Sequence, residues 1–286
     1  MLDAQHITKT FLKGTPNEHT ALSDLSLHLQ DGDFVTVIGS NGAGKSTLFN
    51  AVAGTFLCDS GKILLDNENI TYQKEHLRAK NIGRIFQDPM KGTAPDLTVE
   101  ENMALAYAKA TRNILSSAHR KKDMDYFREK LEKLDMGLET RMRTKMGQLS
   151  GGQRQAVTLL MSTMVTPKLL LLDEHTAALD PVTAQKVMEI TKEIVKEHNI
   201  TTMMITHNIN QALQTGNRTI MLASGKIVLD LQGEAREKMT LPELLEAYKE
   251  KAGKVLDNVS IMDIAPTVTT LLGISANRDW EGRSLV

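Results

Sequence analysis

A chain of 286 residues, 41% hydrophobic and 24% charged, has the composition of an ordinary globular protein, long enough for one large domain or two small ones. Its net charge of −1 argues against a nucleic-acid partner, which ordinarily demands a strongly basic face. The single cysteine, Cys58, excludes an internal disulfide and any multi-cysteine metal site, and fits a reducing compartment.

The N-terminal MLDAQHITKTF lacks the basic start and long apolar stretch of a secretory signal. The longest apolar runs, such as Leu169–Leu172, are far too short to cross a bilayer. The expectation is a soluble, cytoplasmic chain that reaches a membrane only through a partner. The 15 methionines read as gap-filling core residues rather than a binding surface.

In chain order, LDAQHITKTF and LSDLSLHL alternate apolar and polar residues and predict strands, with a break at Gly14–Asn17. DFVTVIG is a β-branched, apolar strand that runs into a glycine loop. STLFNAVAG has helical spacing and ends at Gly54, and GKILLDNENI predicts a strand with a turn. From about Pro89 to Thr166 the apolar positions recur at helical spacing among Lys, Arg, Glu and Met. KLLLLD follows as a buried strand, PVTAQKVMEITKEIVKEH as a helix with Pro181 in its first turn, and TTMMIT as another strand. After a short helix, RTIMLASGKIVLDL predicts a hairpin turning at Ser224-Gly225, and LPELLEAYKEKAG a late helix. Alternating strand and helix implies an α/β fold with a mostly parallel sheet covered on both faces.

GSNGAGKST, Gly39–Thr47, fits G-x-x-x-x-G-K-[ST] at Gly39, Gly44, Lys45 and Ser46. Its glycines let backbone N–H groups face phosphates, Lys45 can reach the β and γ phosphates, and the Ser46 hydroxyl can bind Mg²⁺. A strand precedes it and a helix follows, which adds a favourable dipole. Asp173 and Glu174 close the leucine strand, at the end where ligands gather in open α/β sheets. Asp173 suits Mg²⁺ and Glu174 suits polarising an attacking water; the plainer reading is two solvent-facing caps. LSGGQRQ places Ser150 as an N-cap, with Gly151 and Gly152 clearing space for a ligand near the backbone, a second anion-binding helix start. Its plainer reading is a cap and a flexible turn.

The order GSNGAGKST, LSGGQRQ, LLLLDE resembles the nucleotide-binding subunit of an ABC transporter over about residues 2–250. The resemblance implies a P-loop NTPase core with an antiparallel β subdomain and a helical subdomain of about residues 89–166, all within an ATPase domain of residues 1–252. It implies ATP and Mg²⁺ as ligands, with Ser40, Asn41, Gly42, Ala43 and Thr47 joining the phosphate loop and Gln153 joining the signature. Gln87 in RIFQDP resembles the Q-loop glutamine, a Mg²⁺ sensor coupled to the membrane subunits. Asp180 resembles the D-loop aspartate at a dimer seam, His207 the switch histidine at the γ-phosphate, and Phe11 the aromatic that stacks on adenine. Without the family, Gln87 is an ordinary loop residue, Phe11 a core aromatic and His207 a structural histidine.

His175 departs from the pattern, where proline is usual. It is either a tolerated loop substitution or, close to the reacting water, a pH-sensitive modulator of Glu174.

The resemblance further implies paired subunits, homodimeric here, with ATP between the phosphate loop of one and the signature of the other. Separate permease subunits would hold the pair at the inner face of the membrane. GRIFQDPMKGTAPDLTVEENMALAYAKA and DEHTAALDP are similar to a subgroup found with substrate-binding lipoproteins and linked to amino-acid uptake, aromatic amino acids among them. Rival readings are a soluble ABC-type ATPase without a permease and a small-molecule kinase; LSGGQ argues against the kinase. Residues 253–286, which carry Trp280, resemble a C-terminal fragment of alkaline-phosphatase-like phosphodiesterases without their metal ligands, and are expected to be an appendage.

Overall fold

The computed structural model describes residues 1–111 and 121–253. The first elements are β1 (Leu2–Phe11), β2 (His19–His28), β3 (Phe34–Ile38), α1 (Lys45–Ala53), β4 (Ser60–Leu65), β5 (Glu68–Asn69), α2 (Glu75–Arg78) and β6 (Ile82–Ile85). Next come α3 (Val99–Thr111), α4 (Lys121–Glu132), α5 (Gly151–Thr163), β7 (Leu169–Asp173), α6 (Pro181–Glu197) and β8 (Thr201–Ile205). The last are α7 (Ile209–Gln214), β9 (Arg218–Ala223), β10 (Lys226–Gln232), α8 (Gly233–Lys238) and α9 (Leu241–Gly253).

The strands form two sheets. One is six-stranded, in the order β10-β9-β3-β8-β7-β6, parallel except for the β9–β10 hairpin. The other is antiparallel, in the order β2-β1-β4-β5. The leucine run of β7 explains itself in this setting. Leu169 and Leu171 enter the core shared with α1 and the antiparallel sheet, whereas Leu170 and Leu172 enter the core shared with α3, α4, α5 and α6. A strand buried on both faces needs apolar residues at every position. Met103, Met146, Met203, Met204 and Met221 are buried, as expected of gap-filling methionines, whereas Met90 is exposed. The hairpin turns at Ser224 and Gly225, both at positive φ, the geometry of a two-residue primed turn.

Three elements escape the sequence pattern: α2, β6 and α8. Among the described residues no helix is long and apolar enough to cross a membrane. The segment after Gly253, with its phosphodiesterase-like wording and Trp280, lies outside the described residues.

One buried cation ties α2 to α1. Arg78, 2% exposed, donates to the carbonyls of Ala51 and Val52 at the end of α1 and to those of Thr71 and Gln73, at 2.8–2.9 Å. The last carbonyls of a helix have no partner within it and carry the negative end of its dipole, so a guanidinium there answers both needs. Arg78→Met is expected to destabilise the fold by about 3 kcal/mol or more, because each buried carbonyl left unpaired costs about 1–3 kcal/mol. Arg78→Lys should recover only part, since an ammonium cannot serve a planar fan of acceptors. Urea unfolding midpoints check both; wild-type midpoints would show that the carbonyls find other partners.

Candidate functional site

Four neighbouring strands, β3, β8, β7 and β6, end on one edge of the large sheet. Their parallel register pairs Val37 with Ile205, Ile205 with Asp173, and Leu172 with Ile85. The residues that follow are therefore brought side by side: the Gly39 loop after β3, His207 after β8, Glu174 after β7 and Gln87 after β6. Adjacent strands lie about 4.8 Å apart, so the row spans about 15 Å.

The loop after β3 curls tightly into α1. Gly44 has φ 102°, and a Cβ there would stand 2.5 Å from the carbonyl oxygen of Ala21 in β2. Lys45 is buried and folds back over the loop, its Nζ donating to the Gly39 carbonyl at 2.7 Å and the Ser40 carbonyl at 2.9 Å. Burial lowers its pKa, and the nearby carboxylates of Glu174 and Asp173 oppose the shift. Ala43 is buried, Ser40 and Thr47 are half-buried, and Asn41, Gly42 and Ser46 are exposed. The first turn of α1 carries no acidic side chain to offset its N-terminal dipole, a setting that suits an anion.

Asp173 is half-buried, and desolvation raises its pKa against the opposing charges of Arg84, Lys45 and Lys91. Arg84 lies 3.7 Å from it, donates to Asn50 of α1 at 2.7 Å, and stacks 4.5 Å over the Phe86 ring. Glu174 occupies the left-handed region at φ 47°, and its Oε1 is 2.7 Å from Nε2 of the more exposed His207. Gln87 is exposed and shares a cleft of about 630 Å³ with Asp173, Arg84 and Lys91. Ser46, Asp173 and Gln87 present oxygen donors only, which suits a hard cation such as Mg²⁺. Among the described residues no three His, Cys, Asp or Glu side chains converge as a metal cage. A cation here would complete its shell from phosphate oxygens and water.

Ser150, Gly151, Gly152 and Gln153 form a second group. Ser150 caps α5 by accepting from the Gln153 N–H at 3.2 Å, while Gln153 Oε1 accepts from the Ser150 N–H at 3.3 Å. Gly152 also has a reason within the chain. A Cβ there would fall 1.9 Å from Cγ2 of Thr183 in α6, and at Gly151 3.2 Å from Leu179. Asp180 caps α6 by accepting from the Thr183 N–H at 3.1 Å, and the Thr183 side chain, with that N–H, holds its pKa down. Among the described residues no hydrogen bond or ion pair joins Ser150–Gln153 to the Lys45–Glu174–His207 group. Phe11, at the end of β1, is 37% exposed and packs edge-on against Phe56 at 5.4 Å. Its sheet touches the phosphate loop where Ala21 meets Gly44.

The expectation that His175 lies beside the reacting water is corrected. The side chain is 2% exposed and turns inward, with Nε2 3.1 Å from Thr191 Oγ1 of α6. The Thr191 hydroxyl spends its proton on the Val187 carbonyl at 2.7 Å, so His175 Nε2 must donate. Burial pushes its pKa down to about 4. Sequence reading missed Arg84, Asn50 and Gln155. Arg84 and Asn50 have no spacing signal, because only the fold brings their elements to Asp173.

The ABC transporter family pattern matches residues 22–177. A tyrosine transport ATP-binding protein of Clostridioides difficile is 44% identical over 251 residues, covering 87% of this chain and 99% of that protein. A phosphonates import ATP-binding protein of Lactococcus lactis is 33% identical over 257 residues, covering 88% and 100%. Among solved structures, a dimeric ATP-binding cassette in a post-hydrolysis state, bound to ADP and Pi, superposes with a TM-score of 0.69 at 30% identity, covering 81% of this chain and 98% of that one. Fold and site thus define a P-loop ATPase cassette. The chain belongs to the ABC transporter family, as an ATP-binding, ATP-hydrolysing subunit.

His175 titrates at 6.5 when unfolded and near 4 when folded, so between these pH values the unfolded chain binds more protons. The stability it permits is complete above pH 6.5 and is lost as pH falls toward 4, by on the order of 3 kcal/mol. His175→Gln should flatten that slope in denaturant melts across the window. Its ATPase pH profile above pH 7 should match wild type; a displaced profile would restore the link to Glu174.

Proposed function

We propose that this chain binds MgATP at the β3–α1 loop, hydrolyses it as one of a pair, and so energises an importer of amino acids. The observation that carries the reading is the convergence of Lys45, Asp173, Glu174 and His207 at one sheet edge. Lys45 exchanges the Gly39 and Ser40 carbonyls for the β and γ phosphates, while Gly39–Thr47 cradle them through backbone N–H groups. Phe11 offers its exposed face to adenine. Ser46, Asp173 and Gln87 would hold Mg²⁺, which would supply neutralisation of phosphate charge. Glu174 keeps one carboxylate oxygen on His207 and turns the other to the attacking water as general base. His207 fixes that carboxylate and reaches the γ-phosphate from its exposed ring.

Ser150, Gly151, Gly152 and Gln153 stand apart from this group, which supports their serving a nucleotide held by a second copy. The dimeric cassette with ADP and Pi supports the same arrangement. Asp180, exposed at the start of α6, would meet the partner at the seam. A groove of about 380 Å³ between β6 and helices α3 and α5, edged by exposed Leu105 and Val165, supports a permease contact close to Gln87. The chain would then sit at the inner membrane face through permease subunits, served by a substrate-binding lipoprotein. The ATPase domain is read as residues 1–252, with the helical subdomain at about 89–166. The tyrosine-transport relative, matched over nearly its whole length, favours aromatic amino acids.

Glu174→Gln should retain ATP binding, lose at least about a hundredfold in turnover, and trap an ATP-bound dimer visible by size-exclusion chromatography. Turnover at the wild-type rate would sink the assignment. For the transport role, the native chain is isolated from membranes and its co-purifying proteins identified. A permease whose reconstituted complex hydrolyses ATP faster with tyrosine supports the importer, and isolation without membrane protein favours a soluble ATPase.

A further inference from the structure

Gln155 lies on α5, five residues after the Ser150 cap, about 7.5 Å along the helix axis. Its side chain is fully buried, yet only half of its amide is used. The Nε2 group donates to the Phe86 carbonyl at 3.2 Å, and Oε1 has no hydrogen-bond partner among the described residues. The Phe86 acceptor fixes which amide atom faces it, because a flipped amide would set oxygen against oxygen. Phe86 immediately precedes Gln87, and its ring is already covered by Arg84, the side chain beside Asp173. Buried polar side chains are ordinarily paired in full, and a half-paired one in a core is a stability cost that calls for a reason. An apolar side chain of the same length would fill this place without an orphaned acceptor.

We propose that Gln155 is a positioning residue, which ties the backbone at the root of the Gln87 loop to the helix that carries the second anion-facing cap. The proposal rests on the roles given above to Gln87 and Ser150. Two parts of the site that share no direct bond are joined through this amide. A shift of α5, when its N-terminus meets a partner's nucleotide, would pull on the Phe86 carbonyl and so re-aim Gln87 within the cleft it shares with Asp173. The unpaired Oε1 gives the amide capacity for a second bond in the shifted arrangement. The coupling is mechanical, through one donor and one carbonyl.

The test replaces Gln155 by Met in the full chain, with Gln155→Leu as a second apolar shape and Gln87→Ala alongside. Expected for both Gln155 variants are a fall in kcat of about tenfold and a higher Mg²⁺ concentration for half-maximal rate, the size usual for loss of one coupling contact. ATP affinity measured without Mg²⁺ and the thermal midpoint should hold at or above wild type. A structural tether alone would lower the midpoint and leave the Mg²⁺ dependence untouched, which overturns the proposal. Wild-type kcat and Mg²⁺ dependence in Gln155→Met, with turnover lost in Gln87→Ala, also overturn it and leave the role of Gln87 standing. Wild-type turnover in Gln87→Ala overturns that role and this proposal together.

Discussion

The helix that follows the phosphate loop is clamped at both ends, and the site depends on that clamp. At its start, Gly44 admits the Ala21 carbonyl to a distance no other residue would allow. At its end, Arg78 gathers the Ala51 and Val52 carbonyls. A helix dipole acts within its first and last turns. A guanidinium on the negative end stabilises the helix and fixes where it packs. The helix behind the glycine loop is therefore anchored about 14 Å from that loop, the length of a nine-residue helix, by a side chain outside the site.

The reacting edge is ordered by sheet geometry rather than by a rigid polar cage. Parallel pairing places Glu174 beside His207, and the left-handed backbone of Glu174 sets its carboxylate toward that histidine. Such a conformation costs about 1–2 kcal/mol for an L-residue. His175 turns the opposite way and is held beneath α6 by Thr191. The inward anchor and the outward carboxylate are successive residues, so burial of one fixes the direction of the other.

Much of this was legible in the sequence, and the rest fails for identifiable reasons. The leucine run, the glycine loop and the Ser224-Gly225 turn carry local chemistry that fixes local geometry, and each appears where expected. Strand β6 is short and contains Gly83 and Arg84; only its pairing with β7 makes it a strand. The direction of His175 depends on space under α6, about which its neighbours say nothing. Gly152 reads as room for a ligand, and its neighbours do not reveal that Thr183, distant in sequence, requires the glycine as well. Gln155 looks like one more polar helix residue until its burial is known. Motifs thus announce the atoms proposed to meet the nucleotide, and tertiary contacts choose those that hold them.

The Ser224-Gly225 turn also has an unexpected neighbour. The Gly225 N–H donates to the Ala43 carbonyl within the phosphate loop, and the Gly225 carbonyl accepts from the Ser23 N–H of β2, each at 3.0 Å. Hairpin tips are ordinarily where a chain tolerates insertions and tags. This tip braces the glycine loop through Ala43, so a graft there would loosen that loop. The exposed bend around Gly14, where a Cβ would meet nothing within 4 Å, is the better place for a graft or a probe.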